Sequence, residues 1–301
     1  MVGRRPSGEP EITMADDGQT YTFGDNDLAA ERLRLLARAF EPSSRAFLTE
    51  VYRRWATYHP IQQAVDLGCG PGHTTRLLRQ VLAPRCTTGV DRSKLFLARA
   101  RLWQTGDLRF CEHDVTRAPL PIAGVDLLYA RFLLTHLSRP ASVLTGWAQA
   151  AAPRASLLLE ETAALTSSHP AMRRYYQLVA RMQRAHGQDM TVGLSLEDLA
   201  GGTGWEVREA RLTGIRLPAR LMSQIHVMNL RTWKHDRQAA ALGPPDQLDE
   251  LDAQLEQLAC GRESADDVTC QLKQVWLSRS PAVPDQPGPA VTAETVARPG
   301  C

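Results

Sequence analysis

A short apolar run that ends in three closely spaced glycines constrains this chain more than any other feature. Residues 64–72 read AVDLGCGPG and are followed at once by a helical pattern over residues 73–82. Gly68, Gly70 and Gly72 allow positive φ angles and a close approach of a ligand to the backbone. The first amides of the following helix can face an anionic group. The segment predicts a buried strand, a ligand-binding turn and a helix.

Short apolar runs alternate with helical patterns from residue 62 onward. The run QAVDLG is followed by TTGVD, LRFCEHD, VDLLYA and SLLLEE, with helical patterns over residues 73–82, 93–102, 140–151 and 170–186. This alternation predicts βαβ units and a doubly wound parallel sheet that is covered on both faces. Two later runs, residues 205–214 and 268–277, predict two further strands with a mostly helical stretch between them.

Two helices are predicted before the first strand, and a tail is predicted at each end. Capping candidates at residues 25–27 precede one amphipathic run, which Pro42 separates from a second run over residues 43–56. Residues 1–20 are polar, residues 279–301 are rich in proline, and neither segment has an apolar period. Both tails are therefore predicted to be disordered.

The composition excludes several classes of function. Thirty-five Lys plus Arg residues against 33 Asp plus Glu residues give a net charge of +2, which is too balanced for the field of a nucleic-acid binder. No window approaches 18 consecutive apolar residues, and residues 1–20 lack the apolar stretch of a signal peptide. The six cysteines form no C-x-x-C pair, so no metal site is predicted. We expect a cytoplasmic protein that contacts neither nucleic acid nor membrane.

The glycine-rich segment resembles motif I of the class I S-adenosylmethionine (SAM)-dependent methyltransferases. Asp66 stands just before the glycines in the form D-x-G-x-G-x-G. A nicotinamide-binding fingerprint is disfavoured, because His73 occupies the position of its last glycine. Residues 89–91 (GVD) end the next strand, and Asp91 stands where the family has an acidic residue. Residues 112–115 resemble the third motif of the family, and residues 125–137 resemble its fourth.

The resemblance covers about residues 20–280 and implies a Rossmann-like, seven-stranded sheet that is mostly parallel and ends in an antiparallel hairpin. It extends to small-molecule methyltransferases of actinobacteria, some of which tailor natural products. The methyltransferase domain is then expected over residues 21–278. Its expected parts are N-terminal helices at 21–58, a SAM-binding core at 60–165 and a helical lid inserted at 215–260.

The resemblance also implies which residues contact SAM. Asp91 would accept both ribose hydroxyls, as a carboxylate can, and Asp114 would accept the adenine amino group. The alternatives are that Asp91 caps the helix over residues 93–102 and that Asp114 caps a turn. The expected SAM contacts are Asp66, Gly68, Gly70, Gly72, Asp91, Arg92, Asp114, Val115, Arg131 and Tyr21. No metal is required, because the sulfonium already activates the methyl group, so positioning and water exclusion supply most of the acceleration.

Candidate catalytic residues lie at the carboxyl edge of the predicted sheet. His136 follows the fourth strand, where a neutral imidazole could remove a proton from the acceptor or make a structural hydrogen bond. Glu161 ends the fifth strand, where it could act as a base, hold an ammonium group or cap the next helix.

Candidate acceptor-binding residues lie in the insertion and beside it. Met222, His226, Asn229 and Trp233 recur at helical spacing and suit the wall of a site for an aromatic or amine substrate, or alternatively a packing or dimer contact. Phe23 and Tyr176 complete the predicted acceptor site. Of the adjacent Tyr175 and Tyr176, only one is expected to face it.

The chain is therefore predicted to transfer the methyl group of SAM to an N, C or O atom of a small aromatic or heterocyclic metabolite, as a monomer or a homodimer. Two alternatives remain open. A nicotinamide-dependent oxidoreductase is disfavoured further by the absence of a Tyr-x-x-x-Lys pair. A non-catalytic SAM-binding protein on the same scaffold is compatible with the fold.

Overall fold

The structure, a computed structural model, describes residues 26–56, 60–234 and 242–280. Tyr21, Phe23 and the predicted tail over residues 1–20 lie outside these ranges. The second predicted tail, residues 279–301, lies outside them from residue 281 on, and its first residue, Arg279, ends the last strand. No helix of the described part is long and apolar enough to cross a membrane.

The described residues contain a seven-stranded sheet, as the alternating apolar runs predict. Its strands are β1 (Gln63–Leu67), β2 (Cys86–Asp91), β3 (Leu108–Glu112), β4 (Val125–Arg131), β5 (Ala151–Thr166), β6 (Trp205–Leu217) and β7 (Val268–Arg279). Their order across the sheet is β3-β2-β1-β4-β5-β7-β6. Strands β1 to β5 pair in parallel, and β7 pairs antiparallel with both β5 and β6. The Rossmann-like, mostly parallel sheet with its antiparallel hairpin is confirmed.

Helices flank the sheet and connect its parallel strands. They are α1 (Asp27–Val51), α2 (His73–Leu82), α3 (Lys94–Ala100), α4 (Pro140–Ala150), α5 (Pro170–Ala185), α6 (Leu196–Ala200), α7 (Ala219–Trp233) and α8 (Pro245–Ala259). The central strands are buried on both faces, which is why their sequences are apolar runs without alternation. Short 3-10 turns lie among them, and the one over Leu134–His136 directly follows β4.

The two helices predicted before the first strand are one continuous helix. α1 passes through Pro42, where the sequence predicts a break. A proline inside a helix removes a hydrogen bond and costs about 3 kcal/mol. Both halves of α1 bury aromatic side chains, however: Phe40 packs among residues of α5 and α7, and Phe47 packs in a cluster with Leu78 and Leu127. Burial on both sides of the proline stabilises the unbroken helix.

α7 and α8 form the insertion between β6 and β7. The insertion begins at Pro218 and not at residue 215, because β6 continues to Leu217. α7 packs against α8 and α1, and α5 also packs against α8. α1 contacts α2 as well. The first helix thus connects the glycine-rich end of the sheet with the helical insertion.

Candidate functional site

The glycine-rich turn joins β1 to α2 through a backbone that glycine adopts at little cost. Gly68, Gly70 and Gly72 have φ angles of 67°, 52° and 84°, all in the left-handed region. A Cβ atom on Gly70 would meet Leu33 Cδ1 at 3.4 Å and nothing nearer. The turn therefore presents bare backbone to the space above it.

Gly72 contributes packing and does not line that space. A Cβ atom on Gly72 would lie 2.9 Å from Phe110 Cε1, and one on Gly89 would lie 2.7 Å from Phe110 Cδ1. Close packing at the start of α2 is thus provided by these two glycines, although His73 occupies the position of the last glycine in a nicotinamide fingerprint. Gly72 thus packs against Phe110, and its contact with SAM stays a prediction.

Asp66 lies beneath the glycine-rich turn and, like Gly72, does not line the space above it. Its Oδ2 accepts hydrogen bonds from the hydroxyls of Thr74 at 2.6 Å and Thr75 at 2.7 Å, in the first turn of α2. Burial raises the pKa of Asp66 to about 6, against the lowering effect of the two hydroxyls. This carboxyl group thus fixes the start of α2 against β1, and its contact with SAM stays a prediction.

Asp91 ends β2 and lines the space above the glycine-rich turn. Its Oδ2 accepts the N–H of Gly70 at 2.8 Å, and its Oδ1 accepts the N–H of Ser93 at 2.8 Å. Each oxygen retains a second lone pair. Burial raises the pKa of Asp91, and the two amides partly offset that rise. The helix-capping alternative for Asp91 does not hold, since the side chain of Ser93 caps α3.

A cavity of about 550 Å³ lies over the carboxyl ends of β1, β2 and β4, within the range of small-molecule sites. It is lined by seven of the expected SAM contacts, namely Gly68, Gly70, Asp91, Arg92, Asp114, Val115 and Arg131. α1 supplies a further wall, as expected of residues 21–40, and this wall includes Arg32, Leu33 and Leu36. The sequence did not identify these individual residues, because an amphipathic pattern shows which face is apolar and not what that face covers.

Asp114 and Val115 follow β3 and are held in place by neighbouring groups. Asp114 Oδ1 accepts the N–H of Thr116 at 3.0 Å and its hydroxyl at 2.7 Å. The carbonyl of Val115 accepts the indole N–H of Trp147 at 2.8 Å. Asp114 thus caps a turn, as the alternative interpretation held, and its side chain lines the cavity as well.

A second cavity of about 120 Å³, called the inner chamber below, adjoins the first. Both cavities are lined by Arg32, Leu36, Phe132 and His136, which form the junction between them. Other residues of the inner chamber come from β5, α5 and α7 and include Thr162, Tyr175, Tyr176, Gln183, Met222, His226 and Asn229. Four of the predicted acceptor-site residues, Tyr176, Met222, His226 and Asn229, are thereby brought together.

His226 lies between two tyrosines of α5. Its ring stacks on Tyr175 with centroids 4.3 Å apart and meets Tyr176 edge-on at 5.1 Å. His226 Nε2 lies 3.0 Å from the Tyr176 hydroxyl. Burial lowers the pKa of His226 to about 3, so the imidazole is neutral. The expectation that only one tyrosine faces the site is wrong, because both converge on this histidine.

Trp233 belongs to the predicted acceptor face but does not line the inner chamber. Its side chain is 2% exposed and packs in one apolar cluster with Leu248 and Leu251 of α8. Asn229 is the last residue of α7 at the chamber, and Trp233 lies one helical turn further on. Trp233 thus packs between α7 and α8, and its stacking on an acceptor stays a prediction.

His136, the first of the two predicted catalytic residues, lies at the junction of the two cavities. Burial lowers its pKa to about 3, and the charges of Arg32 and Arg92 add to this lowering. The imidazole is therefore neutral at pH 7, as expected, but it is a weak base. General-base catalysis works best with a pKa near the operating pH.

Glu161, the second predicted catalytic residue, lies behind the 3-10 turn and lines neither cavity. Its Oε1 accepts the N–H groups of Leu133 at 2.8 Å and Leu134 at 2.7 Å. Burial raises the pKa of Glu161 to about 8, against the effect of these amides. Glu161 thus caps the turn that carries His136, and its role as a base or ammonium ligand stays a prediction.

The core of this site matches a known domain family. Residues 65–159 match the family model described as a methyltransferase domain. The matched segment runs from β1 into β5 and includes the glycine-rich turn, Asp91 and Asp114. The SAM-dependent methyltransferase domain predicted from the motifs is confirmed for this segment.

Curated relatives match about a quarter of the chain. The chain is 40% identical over 78 residues to the trans-aconitate 2-methyltransferase of Klebsiella pneumoniae (strain 342), which is 26% of this chain and 30% of that enzyme. It is 43% identical over 76 residues to the trans-aconitate 2-methyltransferase of Delftia acidovorans (strain DSM 14801 / SPH-1), which is 24% of this chain and 28% of that enzyme. The chain thus spans less than a third of the length of these relatives.

The fold is also similar to that of a Galdieria sulphuraria protein provisionally described as a sarcosine dimethylglycine methyltransferase. The TM-score is 0.50 with 13% sequence identity, over 79% of this chain and 86% of that chain. At this identity the likeness concerns the fold alone.

Proposed function

We propose that the whole chain is a SAM-dependent methyltransferase that acts on a small molecule held in the inner chamber. The observation that carries the proposal is the pair of adjoining cavities. The outer cavity is lined by the family's cofactor motifs, and the inner one mostly by residues outside the matched segment. A donor in one cavity and an acceptor in the other would meet at the junction beside His136.

The residues of the outer cavity fit SAM. Gly70 leaves bare backbone for the methionine part, and the nearest atom to a Cβ there is Leu33 Cδ1, at 3.4 Å. Asp91 offers two lone pairs to the ribose hydroxyls, and Asp114 and Val115 line the cavity where the adenine is expected. When bound, SAM supplies an activated methyl group. The chain's own contribution is to bind, orient and exclude water.

The inner chamber favours an aromatic or heterocyclic acceptor with few polar atoms. Its walls are mostly apolar, and the stacked rings of Tyr175 and His226 offer flat surfaces. An N, C or O atom of such a metabolite, for example in the tailoring of a natural product, is a suitable methyl acceptor. Trans-aconitate, the substrate named for the curated relatives, belongs in the same test.

A methyl-transfer assay tests the proposal directly. The purified chain is incubated with SAM carrying a labelled methyl group and a panel of aromatic, heterocyclic and carboxylic metabolites. Transfer to a member of the panel is expected. Binding of S-adenosylhomocysteine without transfer to any member would favour a non-catalytic SAM-binding protein, and absence of S-adenosylhomocysteine binding would refute the cofactor assignment.

Two methionines of α7 provide a matched pair for the acceptor site. Met222 lines the inner chamber, whereas Met228 packs against the apolar cluster outside it. Met222→Ala is expected to change kcat/KM for the acceptor, and Met228→Ala is not. Both variants should bind S-adenosylhomocysteine like the parent, since neither residue lines the outer cavity. Equal effects of the two substitutions on the acceptor would place the acceptor elsewhere.

A further inference from the structure

A third cavity, called the basic cleft below, lies between α1 and α2 and has a volume of about 460 Å³, within the range of small-molecule sites. Its basic and aromatic lining residues come from these two helices, from the turn after α3 and from the end of β4, and they are Arg34, Arg38, His73, Arg76, Trp103 and Arg131. Among the described residues, the basic cleft shares none with the inner chamber, and it shares with the outer cavity Ala37, His73, Thr74 and Arg131. A ligand in the basic cleft would therefore lie beside the cofactor site and outside the proposed acceptor site.

The basic cleft carries an excess of positive charge. Four arginines line it, and Glu41 is the one carboxylate among its described lining residues. Glu41 pairs with Arg45 at 2.7 Å, and Arg34 pairs with Glu31 at 2.6 Å, but neither of these partners lines the cleft. Arg34 and Arg38 are exposed and lie four residues apart on α1, a spacing at which like charges repel. An anion in the cleft would relieve this repulsion.

Two of the arginines, Arg76 and Arg131, meet neutral groups. The Arg76 guanidinium lies 3.7 Å from the centroid of the Trp103 ring. Arg131 donates a hydrogen bond to the hydroxyl of Ser44 at 3.0 Å. A guanidinium has five N–H donors, so one ring contact or one hydroxyl leaves several of them to a ligand. Both arginines can thus donate to an anion and keep the contacts described here.

Arginines from three different elements act on one point of the basic cleft, His73 at the start of α2. Burial lowers the pKa of His73, and the charges of Arg76, Arg131 and Arg34 lower it further. Their positive charges therefore converge from several sides. A tetrahedral phosphate, whose terminal oxygens accept hydrogen bonds in different directions, suits such donors better than a planar carboxylate, which a single guanidinium fork can satisfy.

We propose that the basic cleft binds the phosphate group of a small molecule, with Arg38 and Arg76 as its principal ligands. The inference goes beyond the proposed function, because it requires neither a methyl donor nor a methyl acceptor. A phosphate monoester carries a charge of about −1.5 to −2 at pH 7 and so supplies the negative charge that the described lining lacks. A phosphate group alone fills only a small part of the cleft, and the remaining volume admits the rest of the molecule.

Calorimetry on the parent chain tests the proposal, with the outer cavity filled by saturating S-adenosylhomocysteine. The probes are pyrophosphate and ribose 5-phosphate, with ribose as the uncharged comparison. We expect at least one of the two phosphates to bind and ribose to bind at least tenfold more weakly than that phosphate. Binding of either phosphate supports the site, and their relative affinities distinguish an inorganic source from an ester.

Three results of this titration would overturn the proposal. They are no binding by either phosphate, equal binding by ribose, and binding that S-adenosylhomocysteine abolishes, which would place the phosphate in the outer cavity. If the chain does not bind S-adenosylhomocysteine at all, the cofactor assignment fails, and the same titration without it still tests the basic cleft. Failure of the proposed function and failure of this inference are thus distinguishable.

The fluorescence of Trp103 shows where the phosphate binds. Trp103 is one of six tryptophans, and its ring contacts Arg76, so a phosphate that draws this guanidinium toward itself should change the emission. Trp103→Phe should lack the change and keep the affinity for the phosphate within about threefold. Succinate should produce the change only at a concentration at least tenfold higher. An emission change that persists in Trp103→Phe, or succinate as effective as the phosphate, would refute the assignment.

Arginine variants test the individual residues. Arg38→Gln and Arg76→Gln are each expected to weaken binding of the phosphate at least tenfold and leave the Kd of S-adenosylhomocysteine within twofold, since neither residue lines the outer cavity. Arg79→Gln is the matched control, because Arg79 lies on the same helix as Arg76, pairs with Asp107 at 2.7 Å and does not line the cleft. Equal phosphate affinities of Arg76→Gln and Arg79→Gln would contradict the proposal. If Arg76→Gln does not fold, Arg38→Gln, which alters an exposed side chain, decides.

Discussion

Replacing Asp91 with alanine tests the centre of the cofactor site. The carboxylate lines the outer cavity, and each of its oxygens keeps one lone pair after accepting a backbone N–H. A hydrogen bond to a charged group contributes about 1.5–3 kcal/mol. Loss of at least one such bond to the ribose therefore weakens binding roughly 10- to 150-fold.

Calorimetric titration with S-adenosylhomocysteine measures this loss without turnover. Asp107→Ala is the matched control, because Asp107 is exposed just before β3 and pairs with Arg79 at 2.7 Å. Its affinity should equal that of the parent. Circular dichroism verifies folding, since Asp91→Ala also removes the acceptor of the Gly70 and Ser93 amides.

The pH dependence of binding adds a second readout. Burial raises the pKa of Asp91, so lowering the pH through that pKa protonates the carboxyl group and removes its charge-assisted bonds. Affinity for S-adenosylhomocysteine should fall as the pH falls, and Asp91→Ala should lack this contribution. A folded Asp91→Ala protein that binds with the parent's affinity would refute the ribose assignment.

Three further substitutions separate ligand contact from stability. Gly70→Val should abolish S-adenosylhomocysteine binding in a folded protein, because φ is 52° there and the side chain would enter the cavity. If calorimetry shows that the variant binds S-adenosylhomocysteine with normal affinity, the turn has only a structural role. Trp233→Ala should lower the free energy of unfolding by about 3–5 kcal/mol, as for other buried aromatic residues, with acceptor KM unchanged. If the variant instead changes KM for the acceptor and leaves the free energy of unfolding unchanged, Trp233 belongs to the acceptor site. Glu161→Gln should flatten the pH dependence of stability between about pH 5 and 8. The folded pKa of about 8 exceeds the ordinary 4.5, so the parent binds more protons when folded, and its stability falls as pH rises through this window by at most about 1.4 kcal/mol per pH unit. Denaturant unfolding at pH 5 and 8 measures both slopes, and identical slopes would contradict the buried, protonated carboxyl group.

The sequence predicts those features that depend on neighbouring residues. The central strands are the apolar runs that buried strands require, and the positive φ angles of Gly68, Gly70 and Gly72 follow from the glycines themselves. Asp91 and Asp114 fall at strand ends, so the sheet brings them to one edge regardless of side-chain detail. The part of the outer cavity that the sheet supplies was therefore predictable from the sequence.

The remaining features depend on tertiary packing that the local pattern does not contain. Pro42 marks a helix end by its own chemistry, and only the burial of Phe40 and Phe47 keeps α1 continuous. In the sequence, nothing distinguishes Arg32 from the other arginines. Only the packing of α1 shows that Arg32 lines both cavities. Trp233 continues the spacing of the acceptor face, but the position of α8 decides that its ring packs elsewhere.

α1 is a wall shared by the outer cavity and the inner chamber, with Arg32 and Leu36 lining both. If the donor and the acceptor bind there as proposed, the ligand that orders α1 first lowers the entropic cost of binding the second ligand. The linkage is reciprocal: the factor by which S-adenosylhomocysteine tightens the acceptor equals the factor by which the acceptor tightens S-adenosylhomocysteine. We therefore expect the two cavities to fill cooperatively, so that few molecules hold a reactive donor with no acceptor beside it.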